Sequence, residues 1–210
     1  MARTVNTDHR QALLKAAARH LVDHGIADQS LSDIAAGIGT SARMLIHHFG
    51  TRDALVARAL EIARQWQLDE AEQYLQPAAD AVAVLRATWS WLVDDQTLSY
   101  FRLFQQIAAL ERLQGADAPT NFSAHLGEDW RPLLFRVFEA DPRFDDAASF
   151  ADLTIAFYRG LALDLVHEAN RSRHRQAFER FIELLGASPQ GGAGSSRPHR
   201  GGGRRERRKI

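Results

Sequence analysis

Apolar residues recur at spacings of three and four along most of this chain, and no stretch alternates apolar and polar at the period of a strand. The pattern predicts helices. Residues 8–24 place Leu13, Leu14, Ala17, Ala18, Leu21 and Val22 on one side, and Gly25 follows where a C-terminal cap belongs. Ser30 with Asp33 three places on is a capping-box pattern, ahead of a short helix filled by Ile34 and Ala35 and ended by Gly37 and Gly39. Thr40 or Ser41 can cap a third helix that turns Met44, Leu45 and Phe49 inward, and Gly50 closes it. Thr51 caps a fourth, with Asp53 in the first turn where the helix dipole favours an acid, and this helix runs to about Leu75. Beyond Pro77 the amphipathic segments span about 79–93, 97–113, 121–140, 146–170 and 174–186, with Gly115, Pro119 and Pro142 in or near the breaks. The reading is an all-α chain. A three-helix unit over residues 1–50 is joined by a long helix to a helical domain over 51–186, and residues 187–210 form a tail.

Residues 30–49 have a more specific geometry. Two short helices around a glycine-containing turn make a helix-turn-helix, whose second helix enters the DNA major groove while the first crosses the backbone. Leu31, Ile34, Ala35, Ile38, Leu45 and Phe49 would lock the pair onto the first helix, leaving Thr40, Ser41, Ala42, Arg43, Ile46 and His47 outside. Each polar type suits a groove. Arg43 can reach guanine O6 and N7 with two parallel hydrogen bonds. Thr40 and Ser41 can bond phosphate at a helix start, with Ser30 similarly placed one helix earlier. Ala42 can touch a thymine methyl, and His47 and Arg52 can bond phosphate oxygens.

Composition narrows the alternatives. The chain has 210 residues, 45% hydrophobic and 25% charged, an ordinary soluble balance. No apolar run approaches the roughly 18 residues of a membrane helix, and "MARTVNTDHRQ" lacks the apolar core of a secretory signal. A cytoplasmic protein with no membrane partner is expected. There is no cysteine, so thiolate chemistry, disulfides and cysteine zinc sites are excluded. Adjacent His47 and His48 point about 100° apart on a helix and do not converge on one metal. His20 and His24 share a helix face, but no carboxylate or cysteine completes a known arrangement. No metal and no cofactor are expected. The acidic pairs Asp94–Asp95 and Asp145–Asp146 sit where helix caps belong and are read as caps rather than catalytic dyads. The net charge of zero hides an asymmetry: the tail from Ala187 has seven basic residues against Glu206, while the remainder has 19 basic and 25 acidic. Rich in Gly, Ser and Arg, the tail is expected to be disordered and can add non-specific affinity for nucleic acid.

The stretch "LLKAAARHLVDHGIADQSLSDIAAGIGTSARMLIHHFGTRDALV" resembles the N-terminal domain of the TetR family of bacterial transcriptional repressors. The features that carry the likeness are Gly25, Ser30, Ile34–Ala35, Gly39, His48–Phe49 and Arg52, within a match over residues 8 to about 65. The resemblance implies a homodimer that binds a near-palindromic operator, with a small-molecule pocket in the C-terminal helical domain. Binding there would move the long fourth helix and spread the two reading heads. Two positions depart from the family pattern. Ile46 stands where tyrosine often bonds phosphate, and Ala42 where a basic residue is usual, with Arg43 one place later.

The second half is aromatic-rich, and most of its rings are expected in the core. Pocket candidates are Trp89, Tyr100, Phe104, Gln105, His125 and Tyr158, and an occupant would be apolar to amphipathic. The resemblance implies that the last two helices pair with their symmetry mates. Candidates for that interface are Ile155, Arg159, Gly160, Leu163, His167, Phe178 and Phe181; the alternative is a core within one chain. The functional expectation is a dimeric, ligand-responsive DNA-binding regulator, a repressor rather than an enzyme. The competing classes are a helical-bundle enzyme, against which stands the lack of a nucleophile–base pair or glycine-rich phosphate loop, and an architectural DNA-binding protein without a ligand.

Overall fold

The computed structural model describes residues 2–115, 122, 128–168 and 170–187, with side chains from Thr7 onward. The candidate His125, much of the expected 121–140 segment and the basic tail beyond Ala187 lie outside the described residues. Every regular element within them is a helix. In chain order these are α1 (Ala2–His24), α2 (Leu31–Gly37), α3 (Ala42–Phe49), α4 (Arg52–Tyr74), α5 (Ala81–Ala87), α6 (Trp89–Leu92), α7 (Asp95–Gln114), α8 (Trp130–Glu139), α9 (Ala147–His167) and α10 (Arg171–Gly186).

Local chemistry accounts for most boundaries. Ser30, Ser41, Thr51, Asp80, Asp94, Asp146 and Asn170 each accept a backbone N–H of the helix they precede. Asp33 completes the capping box by accepting the Ser30 N–H at 2.9 Å. Asp94 and Asp146 are thus helix caps, as their positions predict. The expected single helix over 79–93 is instead α5 and α6, which meet at buried Thr88. The Thr88 hydroxyl donates to the Leu85 carbonyl at 2.7 Å, so it must accept the proton of the Tyr158 hydroxyl, 2.7 Å away. Burial raises the Tyr158 pKa and keeps that donor protonated.

Two apolar cores lie end to end. The first gathers Leu14, Ala18, Leu21, Ile34, Leu45 and Phe49 from α1–α3 with Leu55, Leu60 and Ala63 of α4, and it extends to Tyr100, Leu103, Phe104 and Ile107 of α7. The second joins Ala71 and Leu75, at the far end of α4 and just past it, to Leu85, Leu92, Leu134, Phe138, Phe178 and Ile182. α4 therefore runs from one core into the other, and α7 serves as a floor for the N-terminal head. Met44, expected inward, is 36% exposed, because one turn of α3 offers room for Leu45 and Phe49 but not for a third large side chain on that face.

A buried acid bolts the second core. Asp141, 1% exposed, accepts the Ala81 N–H at 2.8 Å and a two-pronged contact from Arg143, whose Nη2 lies 2.6 Å from Oδ2. Arg143 also reaches Asp80 at 2.6 Å. The Arg143 guanidinium pulls the Asp141 pKa down to about 2 against the cost of burial.

Candidate nucleic-acid interface and internal cavity

α3 stands on the head with its buried face held by Leu45 and Phe49. Arg43, Ile46 and His47 follow at i, i+3 and i+4 on the opposite side, all exposed, Ile46 by 53%. Among the described residues Arg43 has no ion pair or hydrogen bond, so its guanidinium fork is available to a base edge. Ser41 accepts the Met44 N–H at 3.3 Å and still has its own proton to donate. Ser30 does not, because its hydroxyl donates to Asp33 Oδ2 and accepts the Asp33 N–H. That bonding also lowers the Asp33 pKa, which holds a negative charge beside any approaching phosphate. Ala42 is half-buried against the head's core, and Thr40 is half-buried with its N–H bonded to Ala35 at 2.9 Å.

Arg52 has a local task. Its Nε donates to the Gln29 carbonyl at 2.7 Å and its Nη1 lies 3.3 Å from Asp53, which pins the turn before α2 to the start of α4. The two histidines differ. His47 is exposed, whereas His48 is half-buried with Nε2 enclosed and unpartnered. Burial first, then the nearby His47, His9 and Arg10, lower the His48 pKa, so this ring is neutral near pH 7. His9 meets His48 edge-on at 5.6 Å and Arg10 lies 5.7 Å over the Phe49 ring. These two α1 residues escaped the sequence reading, since nothing local shows that the start of α1 meets the end of α3. His20 and His24 stack at 4.4 Å, and His20 Nε2 contacts Gln29 Oε1 at 3.1 Å. Gly37 leaves the space for that ring: a Cβ there would lie 2.2 Å from it. Among the described residues no cluster of three or more potential metal ligands forms.

A cavity of about 400 Å³ opens between α4, α7, α8 and α9, a size typical of small-molecule sites. Phe104, Gln105 and Tyr158, expected at a pocket, line it. Trp89 and Tyr100 do not: Trp89 packs 5.1 Å from Phe178, and Tyr100 is wholly buried. Ile155, Arg159 and Leu163, expected at a dimer interface, also line the cavity. Gln67 of α4 is 1% exposed and its amide nitrogen has no partner among the described residues, a state that costs roughly 1–3 kcal/mol. Sequence periodicity could not flag Gln67, a polar residue on an otherwise apolar helix face.

Of the remaining interface candidates, Phe178 is fully buried within the chain, and Phe181 stacks on Phe157 at 4.0 Å. Gly160 and His167 are exposed, with open space where a Gly160 Cβ would stand. Leu153 and Leu163, 51% and 50% exposed, lie with them on one side of α9.

An exposed recognition helix on a three-helix head, borne by a helical body, defines a helix-turn-helix DNA-binding protein. Residues 13–59 match the family model for bacterial regulatory proteins of the tetR family. That match spans most of the three-helix head and the start of α4. Over 86% of its length the chain is similar in fold to a chain from Rhodococcus sp. named as a TetR-family transcriptional regulator, 97% of which is covered, with a TM-score of 0.62 and 19% identity. It is equally similar in fold to a transcriptional regulator from Pseudomonas aeruginosa PAO1, with a TM-score of 0.61, 23% identity, and coverage of 87% and 92%. No curated protein sequence matches the chain. Among the described residues no helix is long and apolar enough to cross a membrane.

Proposed function

We propose that this protein is a TetR-family transcriptional regulator, a cytoplasmic homodimer that represses from an inverted-repeat operator and leaves it when a small molecule enters the cavity. The observation that carries this reading is Arg43, unpaired among the described residues, beside Ile46 and His47 on a helix whose other face is locked into the head. Arg43 reads a base; Ser41 and His47 bond phosphate; Thr40 and Ala42 shape the helix start, where Ala42 can still meet a thymine methyl. Ser30 and Arg52 act mainly by fixing the head, with Arg52's remaining guanidinium nitrogen facing phosphate.

Dimerisation is supported by the exposed stripe of Leu153, Ala156, Gly160, Leu163 and His167, whose spacing follows one side of α9. Small residues there permit close approach of a second copy, and two-fold pairing would set the recognition helices about one DNA turn apart, or a multiple of it. The domain division that suits this reading is a head over residues 1–50 and a regulatory body over 51–186. α7 binds both, which makes it the route by which an occupant would reach the head. The protein is read as a binding protein rather than an enzyme.

Selection of bound sequences from a random duplex library by the full chain, near physiological salt, tests the reading. A single inverted repeat preferred by roughly 10³-fold or more is expected. Binding without sequence preference would favour an architectural role instead. Arg43→Ala should relax preference at one position per half-site, a loss of about 1–3 kcal/mol in discrimination; unchanged specificity would remove Arg43 from base reading.

A further inference from the structure

The cavity's lining divides by chemistry. Phe101, Phe104, Trp130, Leu134, Ile155 and Ala162 supply apolar walls. The charged side chains are Arg112 of α7 and Arg159 of α9, and no acid stands with them. Both are exposed, so they lie toward solvent, while Gln67 is buried and marks the inner end. On neighbouring elements Arg64, Arg131, Arg136 and Arg143 each reach a carboxylate. Arg112 and Arg159 reach none among the described residues. Two guanidinium groups from different helices, unpaired among the described residues, thus meet one apolar chamber whose far side holds an amide with no partner among them.

We propose that the cavity takes an amphipathic organic acid, its carboxylate held by Arg112 and Arg159, its apolar body between the aromatic walls, and a polar atom at its far end on Gln67. The proposal rests on the reading of the cavity as the effector site. Each part follows from what the lining lacks. A cation would face two positive charges with no acid to offset them. A neutral apolar molecule would leave Gln67 buried without a partner. A carboxylate matches the planar, two-pronged donor geometry of arginine, and an aromatic body suits ring walls that favour edge-on or offset packing. Arg159 stands on α9 between the cavity-facing Ile155 and the exposed stripe of Gly160 and Leu163, so the acid's charge sits beside the surface that would pair in a dimer.

The test is calorimetric titration of the full chain, without DNA, by a matched set: 4-phenylbutanoate, 4-phenylbutan-1-ol, 4-phenylbutan-1-amine and 4-(4-hydroxyphenyl)butanoate. The acids should bind more tightly than the alcohol, and the amine least. Arg112→Gln and Arg159→Gln should each weaken acid binding by about tenfold, as for loss of a charge-assisted hydrogen bond, and leave the alcohol unchanged. The para-hydroxyl should improve affinity in the native chain and not in Gln67→Leu. Both arginines are exposed and reach no carboxylate among the described residues, so these variants should melt as the native protein does. An alcohol or amine that binds as well as the acid overturns the proposal. So does an acid that does not bind, or arginine variants that keep the native preference. Repeating the titration with operator DNA separates the two readings. Acid binding that leaves DNA bound would support the anion site and count against effector-driven release. DNA released by the alcohol alone would support release and overturn the anion site.

Discussion

The N-terminal head and the helical body are built from different materials, and the contrast explains why one announces its role and the other does not. The head sets two short capped helices against the long α1, with a core of Ala, Leu, Ile and Val and one phenylalanine of its own. In its helix-turn-helix, caps and apolar spacing within a few residues show most of the side chains that turn inward and those left for DNA. The body packs aromatic residues drawn from distant segments, such as Trp89 against Phe178 at 5.1 Å and Trp91 against Trp130 at 5.5 Å. A ring that lines a cavity and a ring that fills a core have the same periodicity. The lesson is that local patterning identifies a surface built on one short helix, whereas a chamber between four helices belongs to the tertiary fold.

The largest expected effect breaks the body. Phe138→Ala should cost about 3–5 kcal/mol. α7 and α4 serve both cores, so melting followed by circular dichroism should remain a single transition at lower temperature; two separated transitions would show that head and body unfold independently.

A smaller effect sharpens the same contrast through pH. The Asp141 pKa is depressed below its unfolded value of 3.8 to about 2. Its stabilisation is therefore complete above about pH 4 and is lost as pH falls toward 2. It amounts to at most about 2 kcal/mol, less whatever solvent at Arg143 screens. Denaturant unfolding of Asp141→Asn should show reduced stability at neutral pH and a flatter acid limb than the native chain; parallel acid limbs would mean that Asp141 is not the bolt.

The join between the regions should register next. Gln106 of α7 accepts the Ile26 N–H at 2.9 Å, and its amide leaves so little room that a Cβ on Gly25 would lie 2.6 Å from Oε1. Gly25 also has φ +78°, a second reason for glycine. Gln106→Ala should cost about 1 kcal/mol and speed hydrogen exchange at the Ile26 amide. Unchanged exchange would leave apolar packing as the whole of the join.

The smallest effect separates two serines inside the head. Ser30→Ala and Ser41→Ala should each cost about 1 kcal/mol of helix capping. Ser41→Ala alone should also weaken operator binding in gel-shift titrations, because the Ser30 proton is already given to Asp33. Equal losses of DNA affinity would show that both serines act only through the helices they cap.

Much of the head was legible for a physical reason. Caps at Ser30, Ser41 and Thr51 depend on neighbours within four residues, and the inward direction of Ile34, Leu45 and Phe49 follows from apolar spacing over the same range. Met44 was misplaced because spacing gives a side chain's direction and not the room available there. Arg52 and Ser30 illustrate a second limit. Sequence shows that a group can donate or accept, but whether Gln29 or Asp33 already occupies it is decided by folding. In the body, Tyr158 of the expected pocket shares α9 with Ile155, Arg159, Gly160, Leu163 and His167 of the expected interface. α9 turns Ile155 and Tyr158 to the cavity, Leu163 to its rim and Gly160 to solvent.

By itself the sequence determined the helices, their caps and the outward face of α3, because hydrogen bonds and apolar spacing within a few residues decide them. Only the tertiary structure decided that Gln67 lies unpartnered beside a chamber edged by Arg112 and Arg159, and that Phe178 is spent inside the chain. Those outcomes depend on helix crossings that bring positions about 45 to 90 residues apart together, and side-chain packing, not local propensity, sets the crossings.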